Sequence, residues 1–199
     1  MFRLVMDTAM DYSYMALLND DEILFESYSL GKNNHSEKVL PELEKALLDN
    51  NLKLKEIDEV YTGIGPGSYT GVRIAVVVSK MIAAMNKIKL YKFSSLALLA
   101  TSVNKESYPF IDCRRGNCYL AHFKYENGVL TRLMDDCIKK IDEFFDDSNK
   151  DLIVKEGKPQ ILKLLNSKEV VLVEDSNSLS PNYLQLVEAE RIKKGLEWK

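Results

Sequence analysis

The sequence predicts an α/β protein built from two similar halves, and three observations point there. A short apolar strand ending in Asp and followed by a hairpin signal occurs twice, closing at Asp7 and at Asp112, about 105 residues apart. Between the two occurrences the apolar period lengthens to that of a helix, with Val39, Leu40, Leu43, Leu47 and Leu48 on one side. The composition, 46% apolar and 29% charged over 199 residues, is that of a globular chain long enough for one large domain or two small ones.

The elements follow in order. Residues 1–7 read as a buried strand that turns at Asp7-Thr8, and residues 13–19 and 22–30 as a hairpin around Asn19-Asp20-Asp21. A loop over 31–34 leads into a helix over 35–50, with Ser36 as its N-cap and Pro41 near its first turns, where a missing N–H is least costly. Residues 57–64 read as a strand, 65–71 as a loop and 70–86 as a second helix. A strand over 90–93 and a helix over 94–101, capped by Ser94, complete the first half. The boundary falls near 102–109, giving an N-terminal lobe of 1–104 and a shorter C-terminal lobe of 105–199. There, strands are expected over 109–112, 118–125 and 129–134, the last two joined by Glu126-Asn127-Gly128. Helices over 138–145, 160–165 and 181–191 and strands over 152–154 and 170–173 finish the pattern.

Composition also narrows the function. No apolar run approaches the ~20 residues that span a bilayer, and Asp7 interrupts the N-terminus where a signal peptide needs continuous apolar residues. A cytoplasmic protein is expected. Cys113, Cys118 and Cys137 are odd in number and form no disulfide framework, and Cys113 with Cys118 is too few for structural zinc. The net charge of −3, without a basic stripe, argues against holding nucleic acid alone. The two histidines, His35 and His122, form no metal pair, so acid–base work would fall to carboxylates. Asp7 and Asp112 end strands, where a carboxylate serves either catalysis or a turn.

The densest signal is Gly63-Ile-Gly-Pro-Gly-Ser-Tyr-Thr-Gly71 between a strand and a helix. It lacks the Gly-Lys-Ser/Thr of a P-loop, the G-x-G-x-x-G of dinucleotide binders and the G-x-S-x-G of a nucleophile elbow. An anion-binding loop and a turn packed tightly on its neighbour both remain open. The helix that follows, from Val72 to Met85, is apolar nearly all round and must be covered on more than one side. It is either an interior helix or one whose outer stripe is an interface.

Leu4-Val-Met-Asp-Thr-Ala9, His35-Ser-Glu-Lys-Val-Leu-Pro41, Gly65-Pro-Gly-Ser-Tyr-Thr-Gly-Val-Arg-Ile74, Phe93-Ser-Ser-Leu96, Ile111-Asp-Cys-Arg-Arg-Gly116, Pro181-Asn-Tyr-Leu184 and Glu188-Ala-Glu190 stand in one order. In that order the chain resembles the bacterial TsaB family, also called YeaZ, over essentially its whole length. The resemblance implies two ribonuclease-H-like lobes of the actin, sugar-kinase and chaperone-ATPase type. It implies a non-catalytic scaffold for making N6-threonylcarbamoyladenosine in tRNAs that read codons beginning with A, without metal or cofactor of its own. The implied partners are the catalytic paralogue TsaD and the ATPase TsaE, with a homodimer when alone, and tRNA met only through the complex. The two helices of the first lobe would pack against the partner, and Leu43, Leu47, Val72, Val76 and Met81 are the expected contributors. Family members carry glycine where this chain has Ala75 and Met81, and phenylalanine in place of Tyr69. A rival reading is an actin-like phosphotransferase or ATPase, with Asp7, Thr8, Gly65, Gly67, Ser68, Thr70, Gly71 and Arg73 around a nucleotide and magnesium. A peptidase is the third, and it lacks both a metal pair and a nucleophile–base pair.

Overall fold

The computed structural model describes residues 1–31 and 35–185, with His35 and Ser36 in backbone only. Strands β1 (Phe2–Asp7), β2 (Tyr12–Asn19) and β3 (Glu22–Leu30) are followed by α1 (His35–Asp49), β4 (Glu59–Gly63), α2 (Tyr69–Asn86), β5 (Lys89–Phe93) and α3 (Ser95–Ala100). Then come β6 (Tyr108–Arg114), β7 (Asn117–Glu126), β8 (Val129–Lys140), α4 (Ile141–Phe144), β9 (Ile153–Val154), α5 (Ile161–Leu165) and β10 (Val171–Leu172). One mixed sheet has the order β10-β5-β4-β1-β2-β3 and the other β8-β7-β6-β9. In each, a hairpin meander is extended by a parallel strand beside its first member, β4 beside β1 and β9 beside β6. The chain finally returns to the first sheet, where β10 pairs antiparallel with β5.

Strand β1 is buried on both faces, which is why its sequence is a nearly unbroken apolar run. Leu4 and Met6 point into a core shared with Val39, Leu43 and Ala46 of α1 and with Val72, Ala75 and Val76 of α2. Val5, between them, points the other way, into a core shared with α3 and with Tyr119, Ala121 and Phe123 of β7. Helix α3 lies wholly inside that second core, so six consecutive apolar or small residues form a helix there without an exposed face.

Three expectations change. Strand β8 runs on to Lys140, and only Ile141–Phe144 of the expected 138–145 helix is helical. The first residues of β7 need partners, and Asn117, Cys118, Tyr119 and Leu120 pair with Lys140, Lys139, Ile138 and Cys137. Helix α1 begins at His35, which puts Ser36 inside its first turn rather than at its cap. Residues 181–185 are not helical, and the remainder of the helix expected over 181–191 lies outside the described residues, as do Lys32–Asn34 of the expected loop and Glu188-Ala-Glu190.

Candidate functional site: helix α2 and its glycine loop

Helix α2 is capped by Ser68, whose hydroxyl accepts from Gly71 N at 3.2 Å. The loop before it is pressed onto the turn after β1. A Cβ at Gly67 would stand 2.1 Å from the Ala9 carbonyl oxygen, and one at Gly71 2.1 Å from that of Thr8. Ser68 N donates to Ala9 O at 2.7 Å, and Gly65 N donates to the Ser95 hydroxyl at 3.1 Å. These glycines therefore serve close packing between backbones, one of the two readings left open by the sequence.

Asp7 and Thr8 are sealed beneath this contact, each 1% exposed. Asp7 Oδ1 accepts from Ala9 N at 2.7 Å, while Oδ2 is buried without a partner. Burial pushes the Asp7 carboxyl up to about 6, against the opposing pull of Ser95 and of the Ala9 and Thr8 N–H groups. The neighbouring Tyr12 hydroxyl is also buried without a partner, and burial, with the Asp7 charge, raises it well above the usual phenol range. The Thr8 hydroxyl donates to Gly71 O at 2.6 Å and accepts from Ala75 N at 3.1 Å. It bridges the carbonyl and N–H that a regular α-helix joins directly. Asp112 makes the same two-residue turn as Asp7, accepting from Arg114 N at 2.7 Å, but in the open.

Between the sheets runs a cleft of about 600 Å³, lined by Ser68 and Thr70 on one side and by Asp112 and Arg114 on the other. Gly67 reaches its wall; Asp7 and Thr8 do not. His122 bonds Glu106 at 2.7 Å and stacks on Tyr108, and the three cysteines are free thiols. Among the described residues no His, Cys, Asp and Glu cluster is arranged to hold a metal, and no helix is long and apolar enough to cross a membrane.

The two sides of α2 differ in residue size. Gly71, Ala75, Ser79 and Ala83, four residues apart, are all buried, with Val72, Val76 and Ile82 between them. Tyr69, Arg73, Val77, Met81 and Met85, also four apart, are all exposed. Of the expected interface residues, Val72, Val76 and Leu43 are 2%, 3% and 6% exposed and already packed within the chain, and Leu47 is half-buried. Met81 alone stands open, at 57%, with Val77 and Met85 beside it and Leu40 and Leu48 exposed on α1. A helix that is apolar nearly all round shows no polar side by which the sequence alone could orient it. The four-residue spacing of small residues was the available signal.

The segment over 177–183, which the sequence does not place against α2, runs along that helix. Lys80 Nζ donates to the carbonyls of Asn177 and Leu179 at 2.9 and 3.0 Å, and Leu179 is buried in the core under the helix. Asn182 N donates to Ile64 O at 2.7 Å. Arg73 Nε donates to the Tyr183 hydroxyl at 2.7 Å, a second N–H reaches the Tyr69 hydroxyl, and its guanidinium lies 3.8 Å from the Tyr69 ring centroid. Arg73 thus fastens its own chain.

Two packed mixed sheets, with a glycine-loop helix seated on the first, make an α/β fold that solved structures share. A crystal structure described as an uncharacterized protein with similarity to peptidase YeaZ from Pseudomonas aeruginosa superposes with a TM-score of 0.79, covering 92% of this chain and 99% of that one at 20% identity. YeaZ from Pseudomonas aeruginosa gives 0.64 over 70% and 67% at 24% identity. The family model described as TsaD, tRNA N6-adenosine threonylcarbamoyltransferase, matches residues 29–185. The chain belongs to this family, in its TsaB/YeaZ branch. The tRNA threonylcarbamoyladenosine biosynthesis protein TsaB of Bacillus subtilis is 33% identical over 136 residues, 67% of this chain and 59% of that protein. Its Escherichia coli namesake is 29% identical over 132 residues, 63% and 57%. The matched region thus spans about six tenths of these curated relatives.

Proposed function

We propose that the chain is a non-catalytic scaffold in the formation of N6-threonylcarbamoyladenosine in tRNAs that read codons beginning with A, pairing with a TsaD-type paralogue in the cytoplasm. The observation that carries this is the exposed large-residue stripe of α2, Val77, Met81 and Met85, with Leu40 and Leu48 also exposed on α1. Along α2 the three are four residues apart and so stand in one row on the helix surface rather than scattered over it. Covering it with a second helix pair is the first step towards the ~800 Å² per partner of a specific interface. A second copy of the chain is the substitute partner when the paralogue is absent, and a TsaE-like ATPase joins the pair. The net charge of −3 fits tRNA being held mainly by the partner.

The sealed strand end supports the non-catalytic part. Asp7 and Thr8, the residues a nucleotide and magnesium would need, are occupied by Ala9, Gly71 and Ala75. The meander with a parallel fourth strand that the two sheets share supports two duplicated lobes of the ribonuclease-H-like type, divided near residue 104, with the chain returning from the second lobe to the first at β10. Replacing Met81→Glu tests the reading. Loss of co-purification with the paralogue, together with loss of the modified nucleoside from cellular tRNA, is expected. Modification that persists after pairing has been abolished would refute the scaffold.

A further inference from the structure

Residues Asn182 and Tyr183 touch three parts of the molecule at once. The Asn182 backbone is tied to Ile64 at the end of β4. Its side chain donates to Asp136 Oδ2 on β8 of the other sheet, at 3.4 Å. Asp136 is itself fixed, accepting from Ser94 at the start of α3 at 2.7 Å and from Arg132 at 2.7 Å. Arg132 in turn is held by Glu169. Tyr183 then ties Arg73 on α2, with its ring tilted against Tyr69 at 5.3 Å.

We propose that Asn182 and Tyr183 are positioning residues for the docking face of α2, a role that rests on the pairing reading above. The tie comes in addition to Leu179 and Lys80, which fasten the segment to the helix a few residues before it. The tie acts on Arg73, one turn from Val77 and two from Met81 on the exposed stripe. A free arginine loses rotamer freedom when a partner settles on it, whereas one already clamped between two tyrosines does not. Tyrosine and arginine are also the side chains that most often anchor interfaces. Through Asn182 and Asp136, the same junction registers the first turns of α2 against the second sheet.

The test uses the full chain and the TsaD-type paralogue, with Kd measured at a temperature where every variant is shown to be folded. Tyr183→Phe, which keeps the ring and removes the hydroxyl, is expected to weaken pairing about two- to tenfold. Combined with Arg73→Ala it should be no weaker than Arg73→Ala alone, a coupling in Kd that a purely structural tie would not produce. Asn182→Ala is expected to weaken pairing without abolishing it. If Tyr183→Phe and Asn182→Ala leave Kd unchanged while Met81→Glu abolishes pairing, the positioning role is wrong and the docking face stands. If Met81→Glu also leaves Kd unchanged, the docking face is wrong and the positioning role falls with it.

Discussion

Replacing Asp7→Asn isolates the effect of one proton on stability. The Asp7 carboxyl lies at about 6 in the folded chain against 3.8 for an unperturbed aspartate. At 1.36 kcal/mol per pKa unit, that difference corresponds to about 3 kcal/mol. The sign follows from which state holds the proton more tightly. Here it is the folded one, so the contribution of Asp7 is fully present below about pH 4 and is lost as pH rises through about 6. Above that, burying the ionised carboxyl with Oδ2 unpartnered costs the full amount. Asparagine keeps an oxygen to accept from Ala9 N and removes the titration. Its buried amide hydrogens cost about 1–3 kcal/mol, the same at every pH. Urea unfolding of both proteins between pH 4 and 8 should therefore show the variant gaining about 2.5 kcal/mol on the wild type across that range. Parallel stability curves would show that Asp7 does not hold a proton as its burial requires, and a carboxyl resonance for Asp7 titrating near pH 4 would say the same.

Other expectations follow from the same contacts. Gly71→Ala drives a methyl group to 2.1 Å from the Thr8 carbonyl and should lower unfolding stability by about 1–3 kcal/mol or more, read by urea titration. Thr8→Val should destabilise by about 1–3 kcal/mol by removing the hydroxyl between Gly71 O and Ala75 N, and Thr8→Ser should restore most of it. Val76→Glu and Val77→Glu, adjacent in sequence, should separate folding from pairing. The first buries a charge and should leave little soluble folded protein. The second should melt within about 0.5 kcal/mol of the wild type while losing the paralogue.

Much of the fold was legible because short periods survive in the sequence. Ser94 before Ser95–Ala100 marked a helix start, and its hydroxyl does accept from Ala97 N. The glycine loop marked the start of α2, and the two apolar runs closing at Asp7 and Asp112 fall in β1 and β6, the second running on to Arg114, each the first strand of a three-strand meander. The far end of β8 was not legible. Register shifts between Leu120 and His122 and between His122 and Phe123 break the two-residue alternation that identifies a strand. The placement of 174–183 was not legible for a different reason. Residues 181–184 carry a motif and suggested a helix, but the segment is placed by Lys80, Arg73 and Ile64, residues about 100 positions away, which no local pattern reports. In the site, the sequence singled out Asp7, Thr8 and the loop but could not tell a socket from a catalytic corner. Both use a carboxylate and a hydroxyl at a strand end, and only burial separates them.

The closed strand end and the open stripe are two consequences of one packing arrangement. The Thr8 hydroxyl joins Gly71 O to Ala75 N, and glycine at 67 and 71 lets the loop backbone settle directly on that of Thr8 and Ala9. Helix α2 is thereby drawn down on the side that carries Gly71, Ala75, Ser79 and Ala83, where close approach is sterically cheap. Seating that side turns Val77, Met81 and Met85 outward, because they lie half a turn away on the same cylinder. Ala75, where the family resemblance leads one to expect glycine, belongs to the seated side and is fully buried, so it bears on the fit to β1. Met81, the other replacement, lies in the stripe, where a long flexible side chain can adapt to an opposing helix that a glycine would have met at closer range. On the pairing proposed above, the departures that face outward are Met81 and Tyr69, both exposed, and exchanging Met81→Gly should alter the closeness and affinity of pairing while leaving the seat on β1 intact.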